Sequence, residues 1–461
     1  MFKLAFLGGL GGIVFAILAI IDNSPSAAVV AIGLCLASIE VMVLTKVAGG
    51  FSAVVLPVLT VSGSFLSAVY VWNQIRTEAI VSIRFKVSDD YLVQGALIGI
   101  VFCAAFTVGA VIAGPRSLRM SKETIRESLS SLRNSFPIPD GALVSAGYLG
   151  IAVAIYAWQG ALLEGRYLQA AGPSWAVTVS ILTTPFSVLT LAIVAARPGR
   201  WRGLALMGLA LWFFILFARS SRSLAALPGL VLLGRVLAGA NVRIRSVVLA
   251  AAASILLLQL SLVGRVHQGG VGLIPFGEEL LTRPERIFSK ISAGGLFGNI
   301  LISGPQTAVV ANRPIPAEAL WVSINPMLGR FAGWNDIEHS LRFTKSMPYN
   351  TLGELGAHGW VALVVVAGAA GLLLALSTRI ASNVKGAYAT IAALLVLSCS
   401  AFFSVSILQY NLRSSSRIVW YAFLGASAIW FAYVYFGRRN RVELDEHVVP
   451  QPVNGPAARS G

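Results

Sequence analysis

The stretch "WVALVVVAGAAGLLLAL", residues 360–376, holds seventeen positions without a charge or a proline. As a helix it rises about 25 Å, close to a hydrocarbon core of roughly 30 Å. Backbone polar groups in lipid must be paired within the segment, so a run of this kind is read as a membrane-spanning helix. The residues just before it, "RFTKSMPYNTLGELGAHG" (342–359), are of the opposite character. Arg342, Lys345, Tyr349, Asn350, Glu354 and His358 crowd the mouth of the apolar segment. Such a concentration needs a reason in a chain that is 56% hydrophobic and 12% charged, against about a quarter charged in soluble domains.

Similar apolar runs recur along all 461 residues. Hydropathy places about twelve spans, roughly at 4–21, 27–46, 51–72, 91–113, 141–159, 175–196, 203–218, 223–240, 246–264, 358–376, 388–407 and 417–436. The expected fold is an all-α polytopic membrane protein. Forty-five glycines fit close approach between bundle helices. The N-terminal run reads as a retained first helix, because no small-x-small cleavage site precedes the second span.

The net charge of +16 follows from loops, not from nucleic-acid binding, since no aromatic-interleaved basic run is present. With both termini in the cytoplasm, the inner segments hold 19 Lys and Arg. The outer ones hold 16, eight of them in one long loop that the positive-inside rule discounts. The comparison of 19 with 8 fixes the expected orientation. The inner segment 115–136 reads as a basic amphipathic surface helix or, equally, as a solvated loop. Residues 265–357 become a long outer-face loop with short helices, residues 1–264 carry nine spans, 358–436 three more, and 437–461 form an inner tail. A loop of this length is usually functional.

Soluble catalytic motifs, phosphate loops and dinucleotide fingerprints are missing. Cys35, Cys103 and Cys399 sit in apolar runs at no metal-ligand spacing. Arginine on the outer side stands out instead: Arg166, Arg219 and Arg222 in short loops, Arg265 opening the long loop, Arg330 and Arg342 near its end. A guanidinium is always charged and pairs bidentately with phosphate, so several converging at the outer surface would suit a lipid-linked pyrophosphate; each arginine taken singly is better explained by snorkelling to a headgroup or pairing with a local acid. Glu40, inside the second span, is a functional candidate by default. In the segment 342–359, Pro348 and glycines 353, 356 and 359 are expected to bend the chain so that Tyr349, Asn350, Glu354 and His358 face one pocket. Glu354 and His358, four apart, share a helix face, and either suits a general base.

The span number, the late outer loop, the "SSRS" turn (220–223) and "YNTLGELGAHGWVALVV" (349–365) together resemble the bacterial O-antigen polymerases, with the related O-antigen ligases sharing the layout. Local similarity is confined to about 219–234 and 342–372. The resemblance implies a GT-C-like inner-membrane glycosyltransferase that polymerises undecaprenyl-pyrophosphate-linked repeat units into O-antigen or another surface polysaccharide. It implies no cofactor, no nucleotide sugar and no obligatory metal, and it leaves open a chain-length regulator as partner. By the resemblance, Arg222 and Arg342, with Arg166, Arg219 and Arg330, hold the pyrophosphate; Tyr349 and Asn350 contact substrate. The ligases carry histidine before the asparagine, where Tyr349 stands here, which favours the polymerase. His339, His358 and Glu354 remain as candidates for the base. A ligase is the nearer alternative, and a transporter or flippase for lipid-linked sugars, using Glu40, the more distant one.

Overall fold

A computed structural model describes residues 25–50, 52–75, 89–118, 139–166, 172–240, 244–264, 270–290, 303–327, 331–344 and 347–446. The described chain is almost entirely helical. Its helices are α1 (Pro25–Val47), α2 (Val55–Ile75), α3 (Asp89–Ala113), α4 (Asp140–Trp158), α5 (Ser174–Ala195) and α6 (Arg202–Ala218). There follow α7 (Leu227–Leu237), α8 (Ile244–Val263), α9 (Leu273–Thr282), α10 (Pro284–Lys290), α11 (Ser303–Ala311) and α12 (Glu318–Ile324). The last are α13 (Trp334–Ile337), α14 (Thr351–Ala357), α15 (Trp360–Ser382), α16 (Gly386–Gln409) and α17 (Leu412–Glu446).

Seven of the described helices are long and apolar enough to cross a membrane: 28–47, 90–113, 140–162, 174–195, 360–382, 391–409 and 412–435. They coincide with seven of the expected spans. Four shorter apolar helices, 55–66, 202–218, 223–235 and 248–261, occupy the places of the third, seventh, eighth and ninth. The expected first span, most of the inner segment 115–136, and the tail beyond 446 lie outside the described residues. The last span begins at Leu412, five residues earlier than hydropathy places it, because its first turn is polar.

The chain divides into two compact units. The first comprises residues 1–74, 85–124 and 301–461. Its centre is the contact of α3 with α15, over a core that includes Phe102, Phe106, Leu363, Leu374 and Phe403. Glycine makes this contact possible. A Cβ on Gly109 would collide with the Gly368 carbonyl, and one on Gly371 with that of Phe106. Helices in lipid gain little from apolar burial, so backbone-to-backbone approach of this kind supplies packing instead. Helix α17 packs on α16 and α15, and α11 lies on α14 and α3.

The second unit comprises residues 75–84 and 125–300 and centres on α4 against α5. Ser187 donates to the Gly147 carbonyl at 2.6 Å, and the fully buried Trp212 indole donates to Ser187 at 2.7 Å. This chain of bonds ties α4, α5 and α6 without leaving an indole N–H unpaired in apolar surroundings. The Arg197–Asp140 ion pair closes one end of the unit. A two-residue ladder joins Gly165–Arg166 (β1) to Gly270–Val271 (β2).

Gly109→Val is expected to lower stability by about 3 kcal/mol through overpacking of α3 on α15. Gly63→Ala, which meets nothing within 4 Å, should be neutral or slightly stabilising. Unfolding of the two purified variants in detergent checks the contrast.

Candidate functional site

The segment at the mouth of α15 is folded and specific. Arg342–Thr344 (β3) pairs antiparallel with Met347–Pro348 (β4), and Asn350 then starts α14. Asn350 is a fully buried N-cap: its Oδ1 accepts from Gly353 N at 3.2 Å. Its amide donates to the Ser303 carbonyl at 3.1 Å and to Thr307 Oγ1 at 2.6 Å. Gly359, at φ +92°, breaks the helix before Trp360. The expected bend is therefore at Gly359. Gly353 and Gly356 lie inside or at the edge of close packing, a Cβ on Gly353 coming within 2.6 Å of Val310 Cβ.

The four polar residues do not converge on one pocket as their spacing leads one to expect. Buried Tyr349 faces Arg313, whose guanidinium lies 5.9 Å from the ring centroid and donates to the hydroxyl at 3.3 Å. Asn350 turns toward α11. Glu354, fully buried, accepts from Ser323 Oγ at 2.7 Å through Oε1 and from Leu412 N at 3.0 Å through Oε2. Burial pushes its carboxyl up to about 7, while these two hydrogen bonds pull the other way. Both oxygens are engaged in holding α12 and α17 to α14.

His358 ends α14 and is half-buried, with Nε2 shielded from solvent and lacking a hydrogen-bond partner. Burial lowers its pKa, so the imidazole is neutral at physiological pH. Its Nε2 is thus not committed to the fold, whereas both oxygens of Glu354 are. His339 lies exposed in the 3-10 turn Glu338–Leu341. Arg342 forms an ion pair with Glu338 one helical turn before it. Arg330 and Arg265 lie outside the described residues.

Arg166, Arg219 and Arg222 belong to the second unit. The side chains of Arg166 and Arg222 lie outside the described set; their backbones start β1's pairing with Gly270 and the 3-10 turn Arg222–Ala226. Arg219, at the end of α6, stacks on Trp158 with its guanidinium carbon 3.8 Å from the ring centroid. Burial draws its pKa down to about 10, which leaves it charged at neutral pH. Ser220 follows with φ +48°, a left-handed conformation uncommon for serine. Arg219 Nε, Ser220 Oγ and Trp158 Nε1 are all buried without a hydrogen-bond partner among the described residues. All three can donate. Buried donor atoms without partners beside a charged guanidinium are chemically suited to an anion.

Two arginines escape a reading centred on the long loop. Arg413 and Arg417 lie in "NLRSSSR" (411–417), which hydropathy treats as a polar connection. Their four-residue spacing, which puts both on one helix face, is the signal that could have drawn attention to them. Among the described residues no three His, Cys, Asp or Glu side chains cluster as metal ligands would. Compared with protein-family models, curated proteins and solved structures, the chain shows no match.

The Glu354 carboxyl has a folded-state pKa above its ordinary 4.5. Stability from holding the neutral acid is complete below pH 4.5 and is lost as pH rises through 7. Unfolding free energy should therefore fall by about 3 kcal/mol across that window. Detergent unfolding at pH 5 and pH 8 checks this, with Glu354→Gln expected to flatten the dependence.

Proposed function

We propose that the chain polymerises undecaprenyl-pyrophosphate-linked oligosaccharide repeat units at the outer face of the inner membrane. It would act as a GT-C-like, metal-independent glycosyltransferase making O-antigen or another surface polysaccharide. The observation that carries this reading is that Arg219 Nε and Ser220 Oγ, in the turn that leads to Arg222, and Trp158 Nε1, on which Arg219 stacks, are buried without partners among the described residues. A pyrophosphate leaving group supplies the acceptors that these donors lack. The long apolar helices support a membrane substrate.

In the proposed reaction the bond between the glycan's anomeric carbon and the phosphate oxygen breaks. An acceptor sugar hydroxyl forms the new glycosidic bond and passes its proton to a general base, a role that the resemblance leaves open and that His358 Nε2, neutral and uncommitted, suits chemically. The departing pyrophosphate takes the bonding electrons, and guanidinium charge such as that of Arg219 stabilises it where it develops. Glu354 then serves the site by position, since both its oxygens are occupied. Tyr349, standing where ligases carry histidine, favours the polymerase over an O-antigen ligase.

A second reading, a proton-coupled transporter or flippase for lipid-linked sugars, rests on Glu40. This carboxyl is buried in α1, and its Oε2 has no hydrogen-bond partner among the described residues. Purified protein given lipid-linked repeat units alone separates the two. A glycan ladder on a gel supports polymerisation, with Arg342→Ala and Arg219→Ala expected to abolish it and His358→Ala to slow it by about 10²- to 10⁴-fold. Unchanged substrate in wild type, with uptake into vesicles lost in Glu40→Gln, supports transport instead.

A further inference from the structure

At the start of α17, Arg413 is 3% exposed. Its two terminal nitrogens donate to the carbonyls of Val322 and Met327, and its guanidinium faces Trp334 at 5.4 Å. Arg417, one turn on and half-buried, donates to the same Met327 carbonyl at 3.1 Å. Two guanidinium groups thus meet at one oxygen. Carbonyls satisfy hydrogen bonds but do not neutralise charge, and no carboxylate among the described residues pairs with either arginine. The Nε atoms of both are buried without partners. The intervening segment 328–330 is Leu-Gly-Arg and brings no acid in sequence. Like charges held this close repel each other unless an anion joins them.

Beside this pair lies a cavity of about 270 Å³ between α3, α12, α15, α16 and α17. Phe102, Val366, Leu373, Phe403 and Val419 form its apolar wall, and Ser415 and Ser416 its polar edge on the arginine-bearing turn. An apolar cavity of about 150 Å³ already accommodates benzene, so this one has room for a length of hydrocarbon chain. Trp321 and Val365, which line it, are 66% and 62% exposed, so it opens on the outside of this unit, where lipid would lie.

We propose that this is a site for a phosphate-bearing lipid, with one chain in the groove and the phosphate on Arg413 and Arg417. Charge complementarity selects the headgroup and the apolar wall selects the tail. The charge imbalance is independent of the glycan transfer proposed above, and the site would exist in a transporter too. The occupant is an anionic bilayer phospholipid, because the groove opens on the outside of this unit, where such lipids lie.

The test uses the full-length chain, purified and delipidated in neutral detergent, with lipid binding followed by native mass spectrometry. Phosphatidylglycerol, polyprenyl diphosphate, phosphatidylcholine and inorganic phosphate are the four probes. One anionic lipid should bind at one site, at least about tenfold tighter than phosphatidylcholine. Preference for phosphatidylglycerol supports the bilayer-lipid site, and preference for polyprenyl diphosphate overturns it in favour of a lipid-linked substrate. Arg413→Gln is expected to destabilise the fold, so the decisive variants are Arg417→Gln and Ala369→Trp, the latter filling the groove. Each should weaken binding about tenfold, with Arg417→Lys restoring part of it. Anionic lipid binding no tighter than phosphatidylcholine overturns the proposal, as does binding unchanged in both variants. Inorganic phosphate binding as tightly as either lipid also overturns it, because the groove would then contribute nothing.

Discussion

The carboxyl group of Glu354 is the constraint on which the mouth of α15 depends. It sits without solvent contact and takes one hydrogen bond from Ser323 on α12 and one from the first backbone N–H of α17. An N–H at a helix start has no partner within its own helix, and the helix dipole favours an acceptor there. Glu354 therefore answers a need of α17 while fixing α12 and α14 at a set distance. Asn350 repeats the logic one turn earlier, capping α14 and binding α11 with the same side chain. What the sequence presents as catalytic polarity is, at these two positions, mostly the internal wiring of a loop held against a membrane bundle.

The second theme is positive charge without an opposing acid. Arg197 and Arg342 are paired with Asp140 and Glu338. Arg219 instead leans on an indole, and Arg413 and Arg417 share a carbonyl. Burying an arginine in this way is costly, and proteins that do so usually bring an anion to it. In a chain with long apolar helices, phosphate attached to lipid is the anion nearest to hand. Lipid phosphate is the ligand proposed for both arginine groups, by different routes and in different units of the chain.

Much of the helical framework was legible. Residues 360–376 had to be a helix because nothing else satisfies their backbone in lipid, and α15 covers them. Shorter helices such as α6 and α7 were placed correctly as apolar elements, although their described lengths fall below those of the seven long ones. The site was less legible, for physical reasons. A four-residue spacing puts Glu354 and His358 on one helix face, but it cannot say that Ser323 and Leu412, 31 and 58 residues away, will claim the carboxylate. Gly353 and Gly359 look alike in sequence, yet one permits close packing and the other a positive φ. Arg413 was hidden because hydropathy began the last span at 417, after the polar turn that α17 includes.

The proposed reaction moves a glycan from one lipid pyrophosphate to another. The most direct measurement is the release of free undecaprenyl pyrophosphate from a synthetic lipid-linked repeat unit by the purified protein, quantified by mass spectrometry beside the lengthened product. One pyrophosphate carrier released for each glycosidic bond formed is the predicted result. Intact lipid-linked substrate with no carrier released, under conditions where the protein binds that substrate, would contradict it.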